Sequence, residues 1–195
     1  KMAILSENAQ WFEDNSPLME EHKKKNVVRR LNHPANLLFL LGIVQNMSHR
    51  FKAEKTYRYY TTGDDVSSKY LLIVLHGYGQ LAKYFIKKFE KCSADYFVVA
   101  PEGPHRFYLQ GYEGRVGASW MTKEARELDI EDNLNWLNGL LAELQKNKKY
   151  EKVILLGFSQ GGPTAARWFF KNKSKFQKLI LWSSVFPPDI DNKRI

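Results

Sequence analysis

The stretch Lys152-Val153-Ile154-Leu155-Leu156-Gly157-Phe158-Ser159-Gln160-Gly161-Gly162-Pro163 decides how the rest of the chain is read. Val153 to Leu156 is an apolar run without polar alternation, the pattern of a strand covered on both faces. Pro163-Thr164-Ala165-Ala166-Arg167-Trp168-Phe169-Phe170 then continues as a helix, so Ser159 falls at a strand-to-helix turn. A residue held in such a turn has strained backbone angles, and the chain packs too tightly around it for side chains two positions before and two after. Gly157 and Gly161 supply that room. The turn also places Ser159 at a helix N-terminus, where free N–H groups and the dipole favour developing negative charge.

Outward from this turn, similar apolar runs occur at residues 70–75, 96–100 and 179–182. Helical patterns separate them. Leu81, Tyr84, Phe85, Lys88 and Phe89 mark one helical face, and Ile130, Leu134, Leu137, Leu141 and Leu144 keep one apolar stripe along a helix over 129–144. A third helix is expected over 160–171. Ahead of these, Thr56 to Thr62 is rich in β-branched and aromatic residues and is closed by the turn signal Gly63-Asp64-Asp65. Alternation of strands and helices argues for an α/β fold with a mainly parallel sheet and right-handed crossovers.

The run that ends at Leu75 is followed by His76-Gly77-Tyr78-Gly79. Gly77 and Gly79 allow a tight turn that aims an amide at the serine. The backbone N–H groups of Tyr78 and Gln160 are therefore the expected oxyanion donors. His76, at the end of a buried strand and before a glycine, reads as a hydrogen-bonded orienter of this loop. A Gly-x-Ser-x-Gly segment between strand and helix is the nucleophile elbow of the α/β-hydrolase fold, and Ser159 is the expected catalytic nucleophile.

These residues resemble the phospholipase/carboxylesterase family of α/β-hydrolases, which includes the acyl-protein thioesterases. The pieces that carry the resemblance are Leu75-His76-Gly77-Tyr78-Gly79, Ala100-Pro101-Glu102-Gly103-Pro104, Ser119-Trp120 and Gly157-Phe158-Ser159-Gln160-Gly161-Gly162, in the family's order. The resemblance implies a hydrolase of carboxylic esters or thioesters that works through an acyl-enzyme on a small-molecule substrate, without metal or cofactor. It also makes Trp120, after a loop at 111–118, a candidate pocket residue; a core or surface aromatic is the equal alternative.

One part of the pattern is missing. A serine hydroxyl needs a base, and in this fold the order along the chain is Ser, then Asp or Glu, then His. His22, His33, His49, His76 and His105 all precede Ser159. The resemblance implies an acid beyond one further strand after 179–182 and a histidine beyond that. Asp189 and Asp191 read as loop residues, and His105 follows Pro104 in what reads as an ordinary loop. The expectation is an α/β-hydrolase domain over 47–195 that lacks its C-terminal strands and is inactive or impaired as written. The alternative is a non-catalytic remnant that acts as a binding or interaction module through the sheet edge so exposed.

Residues 1–46 show no sustained period and read as an irregular leader outside the hydrolase. Within them, the run from Glu7 to Pro17 followed by His22-Lys23-Lys24-Lys25 resembles a stretch of bacterial dipeptidyl-peptidase III, with no part of that family's zinc motif. The apolar run from Leu37 to Val44 is too short to span a bilayer. Of the 195 residues, 44% are hydrophobic, enough for one buried core. The net charge of +9 is scattered over predicted helix ends, which reads as a solvated surface and not as a nucleic-acid face. A single cysteine, Cys92, fits a reducing, cytoplasmic setting. No oligomeric state is encoded in any of these patterns.

Overall fold

The apolar runs of the second half of the chain become one sheet. The computed structural model describes residues 48–190, and the chain divides into two compact units, Lys1–Glu54 and Lys55–Ile195. The expected leader over 1–46, its peptidase-like stretch and Asp191 lie outside the described residues. In the second unit the elements are β1 (Tyr59–Thr62), β2 (Tyr70–Leu75), α1 (Ala82–Phe85) running into a 3-10 helix (Ile86–Cys92), and β3 (Tyr96–Pro101). Then follow β4 (His105–Gln110), β5 (Glu113–Ser119), α2 (Arg126–Leu144), β6 (Lys152–Phe158), α3 (Gly161–Lys171) and β7 (Lys178–Trp182).

The main sheet has the order β1-β3-β2-β6-β7. β1 is antiparallel to β3, and the other neighbours are parallel. Because β2 is covered on both faces, its side chains serve two cores in alternation. Leu71, Ile73 and Leu75 pack with Leu134, Leu137 and Leu141 of α2 and Ala165 and Trp168 of α3. Leu72 and Val74 pack with Ala82, Phe85 and Phe89 on the other side. The predicted stripe on α2 is thus the buried one, with Ile130 and Leu144 partly buried at its ends.

The chain leaves β2 towards β3 on one side and later returns as β6 on the other. The strand order reverses between β2 and β6, and in open parallel sheets a crevice forms at such a reversal, beyond the carboxyl ends of the strands. The register sets Leu75 beside Gly157, so the loop at His76 and the turn at Ser159 leave the sheet together.

Two readings of the sequence are corrected here. Residues 105–119, expected as loops, form a separate antiparallel hairpin of β4 and β5, with His105 opposite Ser119. Its outer half is exposed on both faces, so it lacks the buried alternate face by which a strand announces itself. The helix marked by Leu81 to Phe89 is a single α-turn that continues as a 3-10 helix. Asp64 fulfils its turn role: its carboxylate accepts the amide N–H of Val66 at 2.9 Å and the hydroxyl of Ser67 at 2.6 Å. Among the described residues no helix is long and apolar enough to cross a membrane.

Candidate active site

Ser159 follows the last residue of β6 with a φ of +50°, and its side chain is exposed. A non-glycine residue in the left-handed region costs about 1–3 kcal/mol and persists only where its surroundings hold it. Here its N–H donates to the carbonyl of Trp182 at 3.1 Å. Its carbonyl accepts the amide of Gly162 at 3.0 Å and the hydroxyl of Ser184 at 2.8 Å. The two glycines of the elbow have steric reasons. A Cβ on Gly157 would stand 2.5 Å from the Cα of Gly162 and 2.6 Å from the carbonyl oxygen of Gly161. One on Gly161 would strike the carbonyl of Leu75 and come within 2.6 Å of that of His76.

The loop after β2 lies against the serine: a Cβ on Gly77 would stand 3.2 Å from the Cβ of Ser159. In this loop Gly77 donates its amide to Oε1 of Gln80 at 2.9 Å, Gln80 donates to the carbonyl of Gly77 at 3.2 Å, and Gly79 donates to the carbonyl of Ala118 at 2.9 Å. The amide of Tyr78 between them has no acceptor among the described residues. The same holds for the amide of Gln160, which precedes the first turn of α3. Gln80 was not legible as a loop clamp, because nothing in its neighbours indicates that its side chain folds back. The phenol ring of Tyr78 is exposed and packs on Phe107 of the hairpin, with centroids 5.0 Å apart.

His76 is fully buried, and both ring nitrogens are engaged. Nε2 accepts the amide N–H of Gly103 at 2.9 Å, which fixes the proton on Nδ1, donated to the carbonyl of Gly77 at 2.8 Å. Burial pushes its pKa below the ordinary imidazole value, against smaller upward effects of the Gly77 bond and of Glu102. The ring orients the two loops and has no nitrogen free to take a proton from Ser159.

Trp120 is fully buried and so lines no open pocket. Its Nε1–H donates to the carbonyl of His76 at 2.8 Å, its own carbonyl accepts the side chain of Asn133 at 2.6 Å, and its ring stacks on Trp136. The side-chain amide of Gln160 accepts the N–H of Trp120 at 3.1 Å and donates to the carbonyl of Met121 at 2.8 Å. The residue after the serine is thereby tied to the end of β5. Asp189 makes a two-pronged pair with Arg167 of α3, at 2.8 and 2.5 Å. That bond holds its carboxyl below the usual range. His105 lies on β4, with Nε2 3.1 Å from the carboxylate of Asp129.

Comparison with known proteins places this geometry in a lineage. The chain is 31% identical over 132 residues to the 1-acylglycerol-3-phosphate O-acyltransferase ABHD5 of Mus musculus, covering 65% of this chain and 33% of that protein. It is 27% identical over 123 residues to a 1-acylglycerol-3-phosphate O-acyltransferase of Arabidopsis thaliana, covering 63% of this chain and 27% of that one. These matches span about a quarter to a third of the relatives' length. Among solved structures, a phospholipase/carboxylesterase from Dyadobacter fermentans superposes with a TM-score of 0.53 at 18% identity, over 73% of this chain and 68% of that one. A carboxylesterase of Bacillus cereus superposes with a TM-score of 0.51 at 18% identity, over 69% of this chain and 63% of that one. Both share the α/β-hydrolase fold. The family model described as phospholipase/carboxylesterase matches residues 62–194, from the end of β1 past the elbow, and the chain belongs to that family.

Proposed function

We propose that this domain, over residues 47–195, forms the acyl-transfer site of a hydrolase of small carboxylic esters or thioesters, with Ser159 as nucleophile. The observation that carries the reading is the pair of unclaimed amides, on Tyr78 and Gln160, on the two loops that meet at Ser159. A carbonyl attacked by Ser159 Oγ becomes a tetrahedral oxyanion, and two converging N–H groups stabilise that charge where it develops. Collapse of the intermediate expels the alcohol or thiol and leaves an acyl-serine, which water then hydrolyses. The acyltransferase names of the curated relatives fit the same acyl chemistry with an alcohol in place of water.

No histidine follows Ser159 in the 195 residues, His76 is fully engaged, and Asp189 is held by Arg167. The described residues therefore position the serine, while His76 and Asp189 are committed to other partners and leave it without a base. The loss of the base in a serine hydrolase costs up to about 10⁶ in turnover. The single thiol, on half-buried Cys92, supports a reducing, cytoplasmic setting for this activity.

The test uses 4-nitrophenyl butyrate with added imidazole as an external base, followed by peptide mass spectrometry. The expected result is a butyryl group on the peptide containing Ser159, absent from Ser159→Ala and much reduced without imidazole. Equal acylation of the Ser159→Ala chain, or none on Ser159 at any imidazole concentration, refutes the hydrolase reading. The second of these outcomes leaves the non-catalytic binding module.

A further inference from the structure

The hairpin of β4 and β5, the start of β1 and the single turn of α1 border an open cavity of about 460 Å³ whose lining includes Arg58, Lys83 and Arg106. Leu81, Phe107 and Val116 form apolar wall. Among the described residues one carboxylate answers the two guanidinium groups. Glu102, 2% exposed, accepts from Arg58 Nε at 3.1 Å and Nη2 at 2.5 Å, and its other oxygen accepts the amide of Ala82 at 3.3 Å. Arg106 Nη1 makes a longer ion pair with the same carboxylate at 3.6 Å, and the Lys83 ammonium lies over the ring of Tyr84, 4.7 Å from its centroid, with no carboxylate partner among the described residues. Glu102 thus fixes Arg58 by hydrogen bonds and holds Arg106 by a longer ion pair, while its one charge leaves the three cations with an excess of two. Concave walls of low dielectric strengthen such a field.

We propose that this cavity binds a phosphomonoester with an apolar body. Two guanidinium groups and an ammonium on one lining offer N–H donors for the three oxygens of a phosphate dianion, and the charge it carries near pH 7 matches the excess. The aromatic and aliphatic wall takes the organic part, and the volume is that of a small-molecule site. Phe107 is shared between the cavity and the ring of Tyr78, so a bound ligand borders the loop beside Ser159. The site stands without the hydrolase reading, because its binding is measured without turnover.

The test is calorimetric titration of the 195-residue chain with phenyl phosphate, phenol and inorganic phosphate, compared with Lys83→Gln/Arg106→Gln. Arg58 is kept so that Glu102 stays paired. Phenyl phosphate is expected to bind more tightly than either of its parts, and at least about tenfold more weakly to the double variant. Should the double variant fail to fold, the exposed Lys83→Gln alone is expected to weaken binding about threefold. A second arm separates the sources: phosphatidylcholine vesicles with and without lysophosphatidate. Capture by the lysophosphatidate vesicles that phenyl phosphate reverses assigns a lipid headgroup; phenyl phosphate binding without capture assigns a soluble phosphomonoester. Phenyl phosphate binding no tighter than phenol, or unchanged in the variants, overturns the proposal.

Discussion

Gln160 and Trp120 are bound to each other across the top of the sheet: the side-chain oxygen of Gln160 accepts the Trp120 amide at 3.1 Å while its nitrogen donates to the neighbouring Met121 carbonyl at 2.8 Å. A carboxylate at this position keeps the first bond and turns the second into oxygen against oxygen. Gln160→Glu is expected to lower stability by about 1–3 kcal/mol, read as a drop in the urea midpoint at unchanged slope. A midpoint equal to that of the parent would show that the amide bridges are incidental.

The elbow is closed by backbone contact. A methyl group on Gly157 would overlap the Gly162 Cα and the Gly161 carbonyl, and backbone cannot rotate away as a side chain can. Gly157→Ala is expected to cost about 1–3 kcal/mol, as overpacked sites do. Gly139, on α2, has no atom within 4 Å of such a methyl and serves as the control. Gly139→Ala should stabilise the helix by up to about 1 kcal/mol.

The buried imidazole makes stability depend on pH. Because the folded pKa of His76 lies below the ordinary 6.5, the unfolded chain takes up the proton first as the pH falls. Stability from this group is complete above about pH 6.5 and declines as the pH drops from there towards the folded value. A melting curve taken between pH 7.5 and 5 is expected to fall more steeply for the parent chain than for His76→Gln. Parallel slopes would count against this assignment.

The pair of Arg167 and Asp189 gives opposite expectations for its two halves. Arg167 is 7% exposed at its side chain, and its Nη1 is buried with no hydrogen-bond partner, so removal of Asp189 strands a largely buried cation. Asp189→Asn is expected to destabilise by about 1–3 kcal/mol, less than a fully buried pair because Asp189 is 43% exposed. Arg167→Met exchanges the cation for an apolar chain of similar length and should fall within about 1 kcal/mol of the parent. Denaturant titration of both variants decides, and equal losses would contradict the argument.

The parts legible in the sequence are those whose partners are close along the chain or whose pattern is imposed by burial on both faces. The residues 70–75 and the stripe from Leu134 to Leu141 read correctly because a strand between two cores and a helix on one core leave no freedom in their apolar spacing. The elbow reads because the contacts that demand Gly157 are made within a few residues, at Gly161 and Gly162, although Gly161 itself answers the distant carbonyls of Leu75 and His76. The hairpin does not, since its outer half faces solvent on both sides and its pairing with the β2 loop joins Gly79 and Gln80 to Ala118. Trp120 shows the same limit: its place in the sequence is equally that of a pocket or a core, and the bond from its indole to the His76 carbonyl decides for the core. Arg106 stands four residues after Glu102, but Arg58 and Lys83 come from distant segments, so no local pattern could have gathered the three on one lining.

The root of the hairpin and its tip live under different rules. A Cβ on Gly117 would stand 2.5 Å from the carbonyl oxygen of Gly79, and two backbone bonds lock Ala118 between Gly79 and Gln80, whereas Gly111 and Gly114 at the tip face open space. No neighbour therefore limits the tip, where only the left-handed φ of Gly111 and Gly114, +65° and +81°, resists other residues. Any enlargement at the root would displace the Tyr78 amide along with it, which makes Gly117 as much a part of the site's inheritance as the serine's own glycines.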